Sequence, residues 1–207
     1  MTIASIQTDS ATRGDLQLAA PAIRASRSVA PDVTGFYETT TGSVQYVVAD
    51  PVTRRCAVID PVLDFDPRSG SIRTTSADQL LRHIEAHGLI LEWILDIHPH
   101  ADHFSAAGYL KDKTGAATGI GERVTEVQRL WKQIYNLPDT VPTERSQWDH
   151  LFADGEQFTV GEMGGTGIAV PWSYSQLCHL HHRERGLRSR HAFHARFGDS
   201  ASRFSGR

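Results

Sequence analysis

The sequence predicts an α/β domain, on three observations. Short apolar runs rich in β-branched residues alternate with stretches of helical period. One run, Leu89 to Leu95, has the length of a buried central strand and leads at once into His98-Pro99-His100-Ala101-Asp102-His103. The 207 residues, 40% hydrophobic and 22% charged, suit one globular domain with tails.

Residues 1–30 are rich in Ala, Ser, Thr and Arg and have no periodic apolar pattern, which predicts a disordered extension. Arg13, Arg24 and Arg27 among Ser and Ala suggest a transit peptide, while Asp9 and Asp15 oppose it. Order begins near Val33. Phe36–Thr39 and Val44–Val48 predict strands joined at Thr41-Gly42-Ser43. Arg55–Asp60 reads as a third, buried strand stopped by Pro61. Ser76 is the expected N-cap of a helix over Ala77–His87, with Leu80, Leu81 and Ile84 on one face and Gly88 as its stop. Leu89–Asp96 is the central strand. Ser105 is expected to cap a short helix through Tyr109 and Leu110 that ends at Gly115. Ala116–Ile120 predicts a short strand. The spacing of Val124, Val127, Leu130, Trp131 and Ile134 predicts a helix over Arg123–Leu137. Trp148–Phe152 precedes Ala153-Asp154-Gly155-Glu156, read as a hairpin turn into Phe158–Val160. From Gly164 onward the periodicity dissolves.

Composition excludes several classes. No apolar run approaches the roughly 20 residues that span a bilayer, so no membrane partner is expected. A net charge of −3 gives no case for nucleic acid. Two cysteines, Cys56 and Cys178, are too few for a disulfide framework and predict a reducing, cytoplasmic setting. Charge is unevenly spread. Residues 164–207 carry seven Arg, no Lys, only the acids Glu184 and Asp199, and five of the eleven histidines. The expected organisation is therefore an extension over 1–30, a domain over 31–163, and a basic, disordered tail over 164–207.

His98, His100, Asp102 and His103 place four potential metal ligands within six residues. Side chains at i and i+2 of a strand point the same way, so His98 and His100 can approach one metal from one side. Asp102 and His103 then lie in the turn that follows. Nitrogen with carboxylate oxygen suits Zn, Fe(II) or Mn, and the lack of cysteine argues for an open rather than a structural site. Elsewhere, His83 and His87 stand i, i+4 and are expected on a solvated helix face. Asp149-His150 reads as a structural turn rather than a catalytic dyad. Asp60 is placed either to hydrogen-bond a ligand histidine or to cap its strand. Cys56 reads as core.

His98-x-His100-x-Asp102-His103, after a strand and before a helix, resembles the signature of the metallo-β-lactamase superfamily, with Ile97 where a Thr is usual. The stretch His98–Gly115, with Gly121-Glu122, Val124–Val127, Trp131-Lys132, Ile134-Tyr135 and Trp148–Gly155, is similar to its persulfide dioxygenase branch. The likeness covers about residues 33–163. It implies an αβ/βα sandwich, of which this stretch is the N-terminal half. For the dioxygenases it implies one Fe(II) held by the first histidine of the motif, His98, by a histidine in a later S-P-G-H-T segment and by a later Asp. Their substrate is glutathione persulfide, oxidised with O2. For hydrolases resembling glyoxalase II it implies two zinc ions and the use of His100, Asp102 and His103 as well. On this resemblance Asp102 is also the candidate catalytic residue. The partner is glutathione persulfide or another small thiol-derived substrate, and a homodimer is the assembly allowed for.

No S-P-G-H-T follows Met163; Val170-Pro171-Trp172-Ser173-Tyr174-Ser175 stands near its expected place. With suitable third bases, codons for Pro-Trp-Ser-Tyr-Ser read one base later can give Pro-Gly-His-Thr. With codons so chosen, the same offset can give family-like sequence for about 40 residues. The expectation is a reading frame shifted after the Met163 codon, leaving a chain inactive for want of two ligands. A non-catalytic remnant or binding module is the alternative outside enzymes.

Overall fold

The computed structural model describes residues 30–100, 102–169, 176–182 and 192–194, with side chains described for 30–100 and 102–167. The expected extension over 1–30 lies outside the described residues, apart from Ala30.

A six-stranded sheet forms the centre. Strands β1 (Asp32–Tyr37), β2 (Val44–Ala49) and β3 (Arg55–Ile59) run antiparallel in sequence. β6 (Ile90–Leu95), β8 (Ala117–Gly121) and β9 (His150–Phe152) then join parallel to β3, giving the order β1-β2-β3-β6-β8-β9. The sheet is covered on both faces, which is why its inner strands are continuously apolar instead of alternating. Val47, Val58 and Ile94 pack with Leu80 and Ile84 of helix α1 (Thr75–Ala86) and Leu110 of α2 (Ala107–Thr114). Their neighbours Val48, Ala57 and Leu95 point to the other face and pack with Phe158, Val160 and Met163. Those residues belong to a second sheet, in which β10 (Gln157–Val160), β11 (Met163–Ala169), β12 (Gln176–His182) and β13 (Ala192–His194) pair antiparallel in sequence order. The layers are helix, sheet, sheet.

A small third sheet was not legible in the sequence. β4 (Val62–Asp66) lies between β5 (Ser71–Arg73) and the two-residue β7 (Phe104–Ser105). Its strands are short, and β4 carries two aspartates, so no apolar period announces it.

Three expectations are corrected. α1 begins at Thr75, not Ala77, and Ser76 is no N-cap. Its hydroxyl and backbone N–H both donate to Asp64, which ties the first turn to β4. The turn at 153–156 does not join a hairpin: β9 pairs with β8 and β10 pairs with β11, so the turn carries the chain from one sheet to the other. Glu156 anchors it, accepting from the Ala153 N–H at 2.8 Å and pairing with His150 Nε2 at 2.7 Å. Helix α3 (Val124–Ile134) ends before Leu137 because Asn136 turns left-handed, with φ 46°. The stops at Gly88 and Gly115 hold, both with positive φ, a conformation that costs glycine nothing.

Strand β11 runs across the expected boundary at Met163 and pairs with β12 from Met163↔His182 to Ala169↔Gln176. Backbone pairing thus continues into the stretch where the sequence pattern dissolves. Apart from β11, β12 and β13, residues 164–207 lie outside the described residues. No helix among the described residues is long and apolar enough to cross a membrane.

Candidate metal centre

The C-terminal ends of β3 and β6 meet side by side, and the site grows from that edge. Asp60 follows β3 in the left-handed region, with φ 51°, and Pro61 holds the chain's exit. A non-glycine residue there is strained and needs its surroundings to fix it. They do: the Asp60 N–H donates to Leu95 O at 2.8 Å, and Asp60 Oδ1 accepts from the Ile97 N–H at 2.7 Å. The same Oδ1 lies 3.1 Å from His100 Nε2. Asp60 is therefore both strand cap and histidine orienter. Asp96 approaches from the other strand end, its Oδ1 3.8 Å from His100 Nε2 and both oxygens accepting from the Ser105 hydroxyl at 2.9 Å.

The motif's rings stack closely. His98 and His100 have centroids 4.5 Å apart, and His100 and His103 4.0 Å apart. Two overlapping groups of ligand atoms result, each within 4.8 Å: Asp60 with His98 and His100, and His100 with Asp102 and His103. The fit to a metal shows in the nitrogens left over. Asp60 takes Nε2 of His100, and the buried Nδ1 has no hydrogen-bond partner. Asp102 Oδ2 lies 3.3 Å from His103 Nδ1, and the buried Nε2 of His103 has no hydrogen-bond partner. A buried nitrogen without a proton partner is costly alone and is the lone pair a metal uses. Nitrogen and carboxylate oxygen, with no thiolate, suit a borderline divalent ion.

Electrostatics follow from burial and the carboxylates. Burial, aided by neighbouring His100, holds His98 and His103 below the ordinary imidazole range, despite Asp102 and Asp60. Burial pulls His100 down too, but the hydrogen bond and charge of Asp60, then Asp96 and Asp102, outweigh it and raise it. Burial and the charge of Asp60 push Asp96 up to about 7. Asp102 is lowered: its backbone N–H, Ser43 and His103 outweigh its desolvation.

The other candidates fall elsewhere. His87 Nδ1 lies 2.8 Å from His83 O, and His83 packs edge-on against Phe36, so it is half-buried, not solvated. Asp149 bonds Lys111 and Thr118 while His150 pairs with Glu156, so they form no dyad. Cys56 is core, its thiol pushed by burial up to about 12. Sequence reasoning missed Asp96, Ser105 and Ser43. Asp96 could have been found, as a carboxylate ending an apolar strand; Ser43 lies 60 residues from His103 and carried no signal.

No family model matches the sequence. The chain is 62% identical over 141 residues to a beta-lactamase hydrolase-like protein of Xylella fastidiosa, covering 68% of this chain and 32% of that protein. It is 42% identical over 137 residues to glyoxylase B2 of Dictyostelium discoideum, covering 66% and 47%. Among solved structures it is similar to a metallo-beta-lactamase from Staphylococcus aureus, with TM-score 0.53, 17% identity and 73% and 38% of the two chains covered. ETHE1 from Myxococcus xanthus gives TM-score 0.52, 22% identity and 72% and 53% coverage. The chain belongs to the metallo-β-lactamase superfamily. It spans between a third and a half of the length of these two curated relatives. The His98–His103 motif stands at the end of the central strand β6, beside β3.

Proposed function

We propose that the described domain carries the first half of the metal centre of a persulfide dioxygenase-like enzyme, with His98 as the ligand it gives to Fe(II) and His100, Asp102 and His103 as further metal-ligating residues at the same strand end. The observation that carries this is the convergence of two ligand groups, sharing His100, at one strand end. When bound, the metal supplies Lewis acidity and, as iron, a centre at which O2 reacts with a persulfide sulfur. The chain's residues do the rest. Asp60 orients His100, and Asp102, ionised below neutral pH, offers Oδ1 toward the centre. Phe104, directly after the motif, meets Phe65 edge-on at 5.0 Å, and Phe65 lines a cavity of about 330 Å³ that Glu38, Asp64, Asp66 and Arg73 also line. Glutathione persulfide, the substrate that the resemblance implies, is the proposed substrate.

As it stands, the chain is proposed to be inactive. The S-P-G-H-T segment implied by the resemblance does not occur in 164–207, and no family-like segment there supplies the later Asp, a loss for which the frame-shift proposal accounts. Persulfide-dependent O2 uptake tests both parts. No uptake is expected from this chain, and uptake is expected after the frame is restored. Turnover by the chain as given would refute its inactivity; none after restoration, with iron bound, would refute the activity.

A second reading has its own support. The bare nitrogens of His100 and His103 beside Asp102 make a further ligand group, as a dinuclear zinc thioester hydrolase would use. Hydrolysis of S-lactoylglutathione and two zinc ions per restored chain would favour it. A restored chain inactive on both substrates favours a binding module.

A further inference from the structure

The hairpin turn between β1 and β2 reaches the motif through one hydroxyl. Ser43 Oγ lies 3.0 Å from Asp102 Oδ2 and 3.1 Å from His103 Nδ1, and the side chain is buried. We propose that Ser43 is a positioning residue of the metal centre: it fixes His103 with its proton on Nδ1 and Nε2 bare toward the metal, and it holds Asp102 by Oδ2 so that Oδ1 faces the centre. The proposal rests on the metal-centre reading above.

Proton bookkeeping sets the direction. Asp102, as a carboxylate, only accepts, so the single Ser43 proton goes to Oδ2. Toward His103 the Ser43 oxygen then has only lone pairs. The other group near Nδ1 is again Asp102 Oδ2, at 3.3 Å, also an acceptor. Both neighbours therefore require the proton on Nδ1, which leaves Nε2 as the lone pair. Asp102 alone is a poor guide, because its side chain is 46% exposed, whereas that of His103 is 1% exposed. Ser43 is the buried member that fixes both.

Ser43 is itself fixed. The Glu38 N–H donates to Ser43 O at 2.9 Å, and Gly42 N–H to Glu38 O at 3.0 Å. The Glu38 carboxylate accepts from the Thr40 and Thr41 N–H groups at 2.7 and 2.8 Å and from the Thr41 hydroxyl at 2.7 Å. Thr41 Oγ1 then touches Ser43 Oγ at 2.8 Å. The buried Glu38 carboxylate thus holds the turn through Thr40 and Thr41, and Thr41 sits against the Ser43 hydroxyl that meets the two motif residues. Outer partners of this kind set ring orientation and tautomer in metal sites.

The first test needs neither substitution nor metal. Long-range ¹H–¹⁵N correlation spectra of the full chain assign the tautomer of neutral His103. Nδ1–H is expected; Nε2–H as the main form overturns the proposal whatever the chain does with metals. The second test is Co(II) affinity, read by visible absorption, for the parent, Ser43→Ala and Ser43→Thr. Ser43→Ala is expected to bind about tenfold or more weakly and Ser43→Thr, which keeps the hydroxyl, within about threefold of the parent. Thermal melts without metal separate a site effect from a folding effect. Ser43→Ala that melts lower yet binds Co(II) as the parent does would make Ser43 a turn residue only and overturn the proposal. A parent that binds no Co(II) would instead sink the metal-centre reading, and this proposal with it.

Discussion

Glu38 shows how much one residue carries. Burial alone would raise its carboxyl, but the Thr41 hydroxyl and the N–H groups of Thr40 and Thr41 hold it at about 2. A folded-state value below the unfolded one stabilises at pH above about 4.5, and that contribution is lost as pH falls toward 2. Glu38→Gln should cost about 2 kcal/mol at neutral pH, as expected for hydrogen bonds to a charged group, and should flatten stability between those two values. Urea unfolding from pH 2 to 7 checks both; an unchanged pH profile would contradict them. Asp60 carries the site in the same way. Asp60→Ala strands His100 Nε2 and the Ile97 N–H, and should weaken zinc binding about 10- to 100-fold in a competitive titration. These two residues differ in legibility. Asp60 ends an apolar strand before a proline, and its bond to His100 was one of two roles foreseen. Glu38 and Ser43 act through a turn 60 residues from the motif, and tertiary contact across that span has no local pattern.

At the scale of elements, periodicity located α1, α2, α3 and the strands of the central sheet, because each buries an apolar face of fixed period. What it missed were pairings. Nothing in 153–156 distinguishes a turn within a sheet from a turn between sheets; the difference lies in Glu156 and in the backbone bonds of Gly155 and Gly167. Nor did β4, β5 and β7 show, since three short strands over one end of the sheet need no alternation. The close packing of β8 and β9 gives a prediction. A Cβ on Gly119 would lie 2.6 Å from Phe152 Cε2 and 3.2 Å from Leu95 Cδ2. Phe152 is 2% exposed and cannot move freely. Gly119→Ala should therefore destabilise the chain by about 1–3 kcal/mol, the cost of overpacking, in chemical denaturation. An unchanged midpoint would mean that the ring has room the packing does not show.

At the scale of the molecule, the domain is a helix layer on two sheets with the metal motif at one strand end. The first sheet and the motif were legible because both rest on local patterns. Of the second sheet only β10 was, because β11 and β12 fall where the charge and periodicity change. The frame-shift proposal predicts that the codons for residues 164–207, read one base later, spell a S-P-G-H-T-like segment; gene sequence without it would end that proposal. The central claim is that the His98–His103 motif is a metal centre. Competitive Fe(II) and Zn(II) titration of the full chain, beside a His98→Ala/His100→Ala variant, tests it most directly. Binding by the parent, reduced at least about 100-fold in the variant as expected when ligands are removed, is the predicted result. Equal binding by both chains, or none by the parent, would contradict it.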